Sequence, residues 1–335
     1  MTSFVTHGIE ATRGGLPVSR IRVSLASWPT GQILILFDTL AALRRRENQV
    51  IVPSQDPELI ARAIKDYSID FAMTSPALLN ALAEMEGRID LSSLRRIVFG
   101  GTTMSRHTGQ AILRMLSKNG GQLMIIYGST EMGIISSWIH EGADDVNTKY
   151  VGRVLGDVEV QIRDLMTGDI SAPGQSGRLL VKSPGMFKGY LGLPKTTRET
   201  IVEGGWVVSG DLVYSDDERQ NLWFAGREKE ALKVHEMQVL PADFEYWMHN
   251  DLGHVIKEVF VVGKPDDKAG EVPCLFLSLH SPEEPFDPGM VHEVVARRLN
   301  PVNKLVGGVQ VLEKLPRNAV GKIDIIALRE IAAGS

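Results

Sequence analysis

The chain has 335 residues, of which 43% are hydrophobic and 23% are charged, a length and composition typical of a globular protein with two or three domains. The formal net charge is -5, and Lys and Arg are scattered along the chain, which excludes the continuous basic surface typical of nucleic-acid-binding proteins. The single cysteine, Cys274, excludes an intrachain disulfide and a cysteine-rich zinc site, so a reducing compartment, the cytoplasm, is expected.

Membrane insertion is not expected either. No apolar run approaches the ~20 residues that a membrane-spanning helix needs. The first residues also lack the charged and then apolar pattern of a secretory signal. The sequence contains no internal repeat and no low-complexity tract, and it therefore predicts folded domains without a membrane span.

Strand and helix patterns alternate through the first part of the chain. Short apolar runs predict strands, and apolar residues at helical spacing predict the helices between them. Asp56 and Pro57 are typical of a helix N-cap and first turn. Strands are expected at 21–25, 50–52, 70–73, 96–99 and 123–126, and helices at 32–46, from 57 onward, at 76–84 and at 105–119. This alternation predicts an α/β fold with a doubly wound, mostly parallel sheet.

The stretch from Tyr127 to Gly133 comes directly after the last of these strands and carries the most chemistry. A ring, a glycine, two hydroxyls and a carboxylate would stand at the carboxyl end of a sheet, where ligands of α/β proteins bind. Such a set suits a nucleotide and a magnesium ion. The alternative is an ordinary strand-to-loop turn. The glycines after the strand at 96–99 have the same two interpretations, close approach to a flat ligand or a tight turn.

Hairpin patterns replace helices after Glu131. Short alternating runs separated by Gly and Pro between 151 and 190 predict a small antiparallel β module. Farther on, Asp211 is expected on a turn between strands and Arg227 at the end of the next strand. The two residues form either a surface ion pair or a polar clamp on a diol.

The last third predicts a small α+β domain, with the domain boundary between 226 and 227. Helices are expected from Pro241 and at 288–299, the second capped by Asp287, and strands at 259–263 and 274–279. Cys274 is expected to fill the core of the latter strand. Lys322 stands on a glycine-marked turn, where a lysine is usually inert unless its surroundings give it a role.

Five stretches in this order, at 100–103, 127–131, 209–211, 226–227 and 316–322, resemble the motifs of the adenylate-forming superfamily. That superfamily includes acyl-CoA and aryl-CoA synthetases, luciferases and the adenylation domains of peptide synthetases. The resemblance extends from about residue 20 to 330 and is stronger to an acyl-CoA synthetase, which suggests fatty acid metabolism. It implies that ATP and a carboxylic acid form an acyl-adenylate, whose acyl group passes to CoA or a carrier phosphopantetheine.

The resemblance also implies a role for each matching residue. It gives catalytic roles to Thr130 at the α-phosphate, to Glu131 at Mg²⁺ and to Lys322 at the bridging oxygens. The nucleotide would contact Gly101, Thr102, Tyr127, Gly128, Asp211 and Arg227, with the ribose hydroxyls on Asp211. Lys229 would be the hinge of a mobile C-terminal domain. The acyl pocket would be lined by Ser75, Pro76, Gly100, Met132 and Gly133.

The sequence departs from the family pattern at several points. The Ser/Thr/Gly-rich loop and lysine that wrap the outer phosphates of ATP do not occur, and residues 4–7 resemble the family segment located just after that loop. Weak ATP binding and slow adenylation are expected without those donors. Glu236 replaces a glycine associated with thiol transfer, which puts that step in doubt. The segment 27–29 lacks a histidine that gates the acyl pocket in many acyl-CoA synthetases.

Two functions therefore stay open. The first is an AMP-forming acid:thiol ligase, seen as a fragment or as half of a split enzyme. The second is a catalytically impaired relative that binds AMP, an acyl-adenylate or a protein partner. In both cases we expect a missing N-terminal segment or self-association to cover exposed apolar sheet surface. A purely structural protein would require Glu131, Asp211, Arg227 and Lys322 to match by coincidence.

Overall fold

A computed structural model describes residues 23–27, 33–101, 104–117, 120–140, 142–143, 146–216, 218–235, 237–318 and 323–334. The chain divides into two compact units. The second unit comprises residues 225–335 with the short segments 105–107 and 210–212, and the remaining residues belong to the first. None of the helices in the described part is both long and apolar enough to cross a membrane.

Helices alternate with strands in the first unit and are fewer in the second. The α-helices are α1 (Ile33–Arg45), α2 (Pro57–Asp66), α3 (Pro76–Ala83), α4 (Arg106–Ser117), α5 (Pro194–Thr200), α6 (Pro241–Leu252), α7 (Gly289–Arg298) and α8 (Ile325–Gly334). Short 3-10 turns cover Glu203–Gly205, Glu228–Glu230 and Pro301–Asn303. The predicted cap of α2 is confirmed, because Asp56 Oδ1 accepts a hydrogen bond of 2.9 Å from the backbone N–H of Glu58.

The strands form two sheets. The first sheet contains β1 (Val23–Ala26), β2 (Asn48–Ile51), β3 (Phe71–Thr74), β4 (Arg96–Gly100), β5 (Gln122–Ser129), β6 (Gly133–His140), β7 (Tyr150–Val154), β8 (Glu159–Arg163), β9 (Gly177–Lys182), β10 (Ile201–Val202), β11 (Trp206–Ser215) and β12 (Asn221–Arg227). The second contains β13 (Leu232–Val234), β14 (Met237–Val239), β15 (Ile256–Asp266), β16 (Gly270–Leu279) and β17 (Val309–Val311).

The first sheet changes direction at β5. Its strands have the order β2-β1-β3-β4-β5-β6-β7-β12-β11-β9-β8, with β10 beside β11. The pairs from β2 to β5 are parallel, whereas β5 pairs with β6 in antiparallel fashion from Leu123↔His140 to Ser129↔Gly133. The predicted antiparallel module is thus continuous with the parallel sheet. The α/β fold class with a small α+β domain after it is confirmed.

Each unit has its own hydrophobic core. In the first unit, one cluster packs the helices α2 to α4 against β3 to β5, and a smaller one around Phe37 and Phe71 uses the opposite face. In the second unit, α6 and α7 cover one face of the sheet and α8 the other. Cys274 is fully buried in β16 with a free thiol, as predicted. Because burial disfavours the thiolate, the pKa of Cys274 is raised.

Candidate active site

The stretch from Tyr127 to Gly133 is the turn of the β5–β6 hairpin. The sequence predicted that the strand stops near Tyr127, but β5 continues through Ser129 because β6 pairs with it along its whole length. The pairing register shifts between Tyr127 and Gly128. A Cβ atom on Gly128 would lie 2.0 Å from the carbonyl oxygen of Gly133, so this turn closes only around a glycine.

Ser129 and Thr130 of this turn face solvent, whereas Tyr127 and Met132 pack into the core. Ser129 and Thr130 are exposed, and Glu131 is half-buried. Tyr127 is half-buried and packs against the main core of the first unit, in which Met132 is fully buried. The hydroxyls and the carboxylate are therefore held on a rigid support, as a binding site requires.

Two hydroxyl groups hold the carboxylate of Glu131. Ser129 Oγ donates to Oε2 and the Tyr190 hydroxyl donates to Oε1, each at 2.8 Å. Ser129 Oγ also accepts from the backbone N–H of Glu131 at 3.2 Å. Burial raises the pKa of Tyr190, and the neighbouring Glu131 raises it further. Tyr190 therefore stays a hydrogen-bond donor over a wide pH range.

The segment that brings Tyr190 here comes after β9 and packs along the turn. Phe187 donates its backbone N–H to the carbonyl of Glu131 at 3.0 Å, and Ser183 Oγ donates to the carbonyl of Met132. The rings of Phe187 and Tyr190 pack edge to face at 4.8 Å. Sequence reasoning did not single out Tyr190, since a tyrosine after a glycine in a turn-rich module carries no local mark of a distant carboxylate partner.

Strand β4 ends beside this turn. The parallel register pairs Gly100 with Ile126 and so places Gly101 at the level of Tyr127. Gly101 has a φ of +88° and is exposed, with no atom within 4 Å of the position that a Cβ would take. A glycine here leaves open space at the end of β4, which suits a flat ligand. Thr102, the other predicted shelf residue, lies outside the described residues.

The residues predicted for the acyl pocket lie where the parallel strands β3 and β4 end and where the antiparallel strand β6 begins. Ser75 comes after β3 and caps α3, because its Oγ accepts from the N–H of Leu78 at 3.3 Å. Pro76 is buried in the first turn of α3. Gly100 ends β4 and Gly133 begins β6, and both are buried. A pocket role for this set and for Met132 stays a prediction.

Asp211 and Arg227 belong to adjacent strands of the first sheet. The prediction that Asp211 lies on a turn is wrong, because the ladder to the neighbouring strands continues and β11 runs from Trp206 to Ser215. Arg227 ends β12, as predicted. Its Nε lies 3.5 Å from Asp211 Oδ1, with side-chain exposures of 51% for Arg227 and 8% for Asp211. The ion pair therefore joins an exposed guanidinium to a buried carboxylate.

Lys229 lies on the 3-10 turn directly after β12 and is exposed. Its predicted hinge role stays a prediction. Lys322 lies outside the described residues, as do Glu236 and the residues at 4–7 and 28–29. Arg317, inside the last predicted motif, and Ile323, directly after it, form an isolated antiparallel bridge.

The turn offers a single carboxylate, that of Glu131, as a ligand for a magnesium ion. The described residues contain no group of three or more His, Cys, Asp or Glu side chains that could hold a metal. Mg²⁺ usually keeps several waters and binds through one or two carboxylates together with phosphate oxygens of a substrate. A single oriented carboxylate such as Glu131 fits that mode, and it does not fit a metal held by protein ligands alone.

Comparison with known proteins decides the family. The model of the AMP-binding enzyme family matches residues 5–191, which is more than half of the chain, and the model of the AMP-binding enzyme C-terminal domain matches residues 254–322. The chain belongs to the AMP-binding enzyme family. The predicted membership of the adenylate-forming superfamily is confirmed.

Individual relatives of this chain differ in what their names state. Luciferin 4-monooxygenase of Photinus pyralis is 31% identical over 88% of this chain and 53% of its own length. The 4-coumarate–CoA ligase-like protein 9 of Arabidopsis thaliana is 30% identical over 94% and 55%. The amide bond synthetase McbA of Marinactinospora thermotolerans superposes with a TM-score of 0.86 at 25% identity, over 98% of this chain and 66% of that one. The chain spans about half the length of these curated relatives.

Proposed function

We propose that the protein to which this chain belongs is an AMP-forming acid:thiol ligase. The proposal rests on the β5–β6 turn, where Thr130 is exposed and two hydroxyls orient the carboxylate of Glu131, at the end of the strand that pairs with β4 up to Gly100↔Ile126. Membership of the AMP-binding family supports it. The name of the Arabidopsis relative, a CoA ligase-like protein, supports CoA as the thiol.

The proposed reaction has two steps. A carboxylate oxygen of the acid attacks the α-phosphorus of ATP, and the bond to the β-phosphate breaks and releases pyrophosphate. The thiolate of CoA or of a carrier phosphopantetheine then attacks the acyl carbon, and the bond to AMP breaks. Bound Mg²⁺ would neutralise phosphate charge. Because two anions meet in the first step, catalysis depends on charge stabilisation and alignment.

Each residue has a part in this proposal that agrees with its chemistry. Tyr127 and Gly101 accept the adenine, Thr130 donates its hydroxyl to the α-phosphate, and Glu131 holds the metal. Asp211 accepts from the ribose hydroxyls, a diol that suits a buried carboxylate. The remaining roles fall to Arg227 beside Asp211, Lys322 as the cation at the bridging oxygens, and Lys229 as the hinge.

The decisive test has two measurements. Carboxylic-acid-dependent exchange of labelled pyrophosphate into ATP is measured with this chain alone and with a candidate N-terminal segment that carries a phosphate loop. Exchange in either sample is expected. Its absence in both, with AMP still bound, would favour the second function, a relative that binds AMP or an acyl-adenylate without completing the reaction.

Calorimetry with AMP tests the nucleotide site itself. We expect Asp211→Ala to weaken AMP binding by roughly 10- to 150-fold, since a charged hydrogen-bond acceptor contributes roughly 1.5 to 3 kcal/mol. The matched control is Asp251→Ala, which removes another arginine-paired carboxylate of low exposure, bound to Arg297 and Arg298. Equal AMP affinity of wild type and Asp211→Ala would count against any nucleotide role for this residue.

A further inference from the structure

We infer that Tyr190 is a positioning residue for the metal ligand Glu131, an inference that rests on the proposed function. The Tyr190 hydroxyl donates to Glu131 Oε1 at 2.8 Å from a segment 59 residues away in sequence. Ser129 Oγ donates to the other carboxylate oxygen at 2.8 Å. Each oxygen of the Glu131 carboxylate thus accepts a hydrogen bond from one of the two hydroxyls.

The two hydroxyls fix the rotation of the carboxylate. Each oxygen of a carboxylate accepts along two lone-pair directions, so one hydroxyl on each oxygen does not exhaust the acceptor capacity of the group. Because Mg²⁺ demands nearly ideal octahedral geometry, a single carboxylate ligand serves it best when its plane is already set.

Tyr190 is itself firmly placed. Its backbone N–H donates to Thr197 Oγ1 at 2.9 Å, which ties the residue to the first turns of α5. Its ring packs edge to face on Phe187, whose backbone N–H donates to the carbonyl of Glu131 at 3.0 Å. The segment of the tyrosine and the glutamate are therefore linked through a backbone hydrogen bond as well as through their side chains. These contacts hold the hydroxyl at the carboxylate.

The tyrosine does not act on the substrate. Its hydroxyl donates to Glu131 and its backbone N–H donates to Thr197, and neither of these bonds reaches the proposed phosphate position at Thr130. The tyrosine therefore acts through Glu131. Loss of its hydroxyl should therefore change metal-dependent steps and leave metal-free nucleotide binding intact.

The experiment compares wild type, Tyr190→Phe and a control, Tyr67→Phe, which removes the hydroxyl of a tyrosine that is 61% exposed in the same unit. Binding of Mn²⁺ is measured by electron paramagnetic resonance in the presence of ATP, and binding of AMP is measured by calorimetry without metal. We expect about tenfold weaker Mn²⁺ binding for Tyr190→Phe, within the range for groups that orient a metal ligand. AMP affinity and thermal midpoint should match those of wild type and Tyr67→Phe.

A double-mutant cycle separates positioning from a merely structural contribution. Glu131→Ala alone should weaken Mn²⁺ binding, and Tyr190→Phe should add nothing in that background, because the tyrosine acts only through the carboxylate. Additive losses would overturn the inference, as would wild-type Mn²⁺ affinity in Tyr190→Phe. A wild-type chain that binds neither AMP nor, in the presence of ATP, Mn²⁺ would overturn the proposed function together with this inference. The preceding outcomes concern the variants and overturn the inference alone.

Discussion

Among single residues, Gly128 is the one on which the shape of the candidate site most depends, because no other residue type fits at its position. The Cβ of any other residue at Gly128 would meet the backbone carbonyl of Gly133 at 2.0 Å. Neither partner is a flexible side chain that can move aside. The close approach brings Ser129, Thr130 and Glu131 out of the sheet at a fixed place, so that the geometry of the hairpin determines the geometry of the carboxylate.

We expect Gly128→Ala to lower the free energy of unfolding by about 3 kcal/mol, because the clash forces the β5–β6 ladder apart. Chemical denaturation monitored by circular dichroism measures the change. Gly156→Ala is the control, since it is an exposed glycine with nothing within 4 Å of the added Cβ, and its effect should stay within about 0.5 kcal/mol. Equal effects of the two substitutions would contradict the steric argument.

At the scale of elements, local signals placed helix starts well and strand partners poorly. Asp56 and Pro57 mark the start of α2 within their own few residues, and Pro241 does the same for α6. Strand β6 had no such mark and was not predicted. Its first four residues are buried and the next three are half-buried, a pattern without a strand period that has meaning only beside β5 and β7, to which it is paired in the sheet.

Helix α6 carries a carboxylate whose titration should be visible in stability. Burial raises the pKa of Glu245 from 4.5 to about 8, with a smaller contribution from Glu230. The folded state therefore holds a proton that the unfolded state releases. The stability that this protonation contributes is complete below pH 4.5 and is lost as the pH rises toward 8.

We expect Glu245→Gln to stabilise the protein relative to wild type increasingly between about pH 6.5 and 8, by up to about 1.4 kcal/mol per pH unit. In this pH window the titration of His249 does not add to the effect of Glu245. Burial lowers the pKa of His249 on the same helix from 6.5 to about 4, so that its stabilisation is lost only as the pH falls below 6.5. Urea denaturation at several pH values measures the difference, and exposed Glu293→Gln serves as the control. Parallel pH profiles for wild type and Glu245→Gln would refute the assignment.

At the scale of the whole molecule, the two units have separate cores. Each of the hydrophobic clusters found among the described residues draws its members from one unit. The second unit begins its continuous part at residue 225; the boundary between 226 and 227 and the hinge role of Lys229 stay predictions.

Separate cores predict two unfolding transitions in differential scanning calorimetry. Ile256→Val removes one buried methyl group from the core of the second unit, and Ile97→Val does the same in the first. Each should cost about 1 kcal/mol and move only its own transition, by about 4 °C. A single transition that both substitutions shift equally would contradict independent cores.

Residue patterns along the chain were enough to predict the α/β class, the cap of α2, the buried place of Cys274 and the motif order that led to the family. These features depend on residue types a few positions apart, or on a pattern that the chain carries in order. The folded structure was needed to show that β5 continues through Ser129, that Asp211 lies inside a strand, and that Tyr190 contacts Glu131. The lengths of β5 and β11 depend on the strands paired with them, and Tyr190 reaches Glu131 across 59 residues. Local propensity cannot specify which partner a strand or a carboxylate finds.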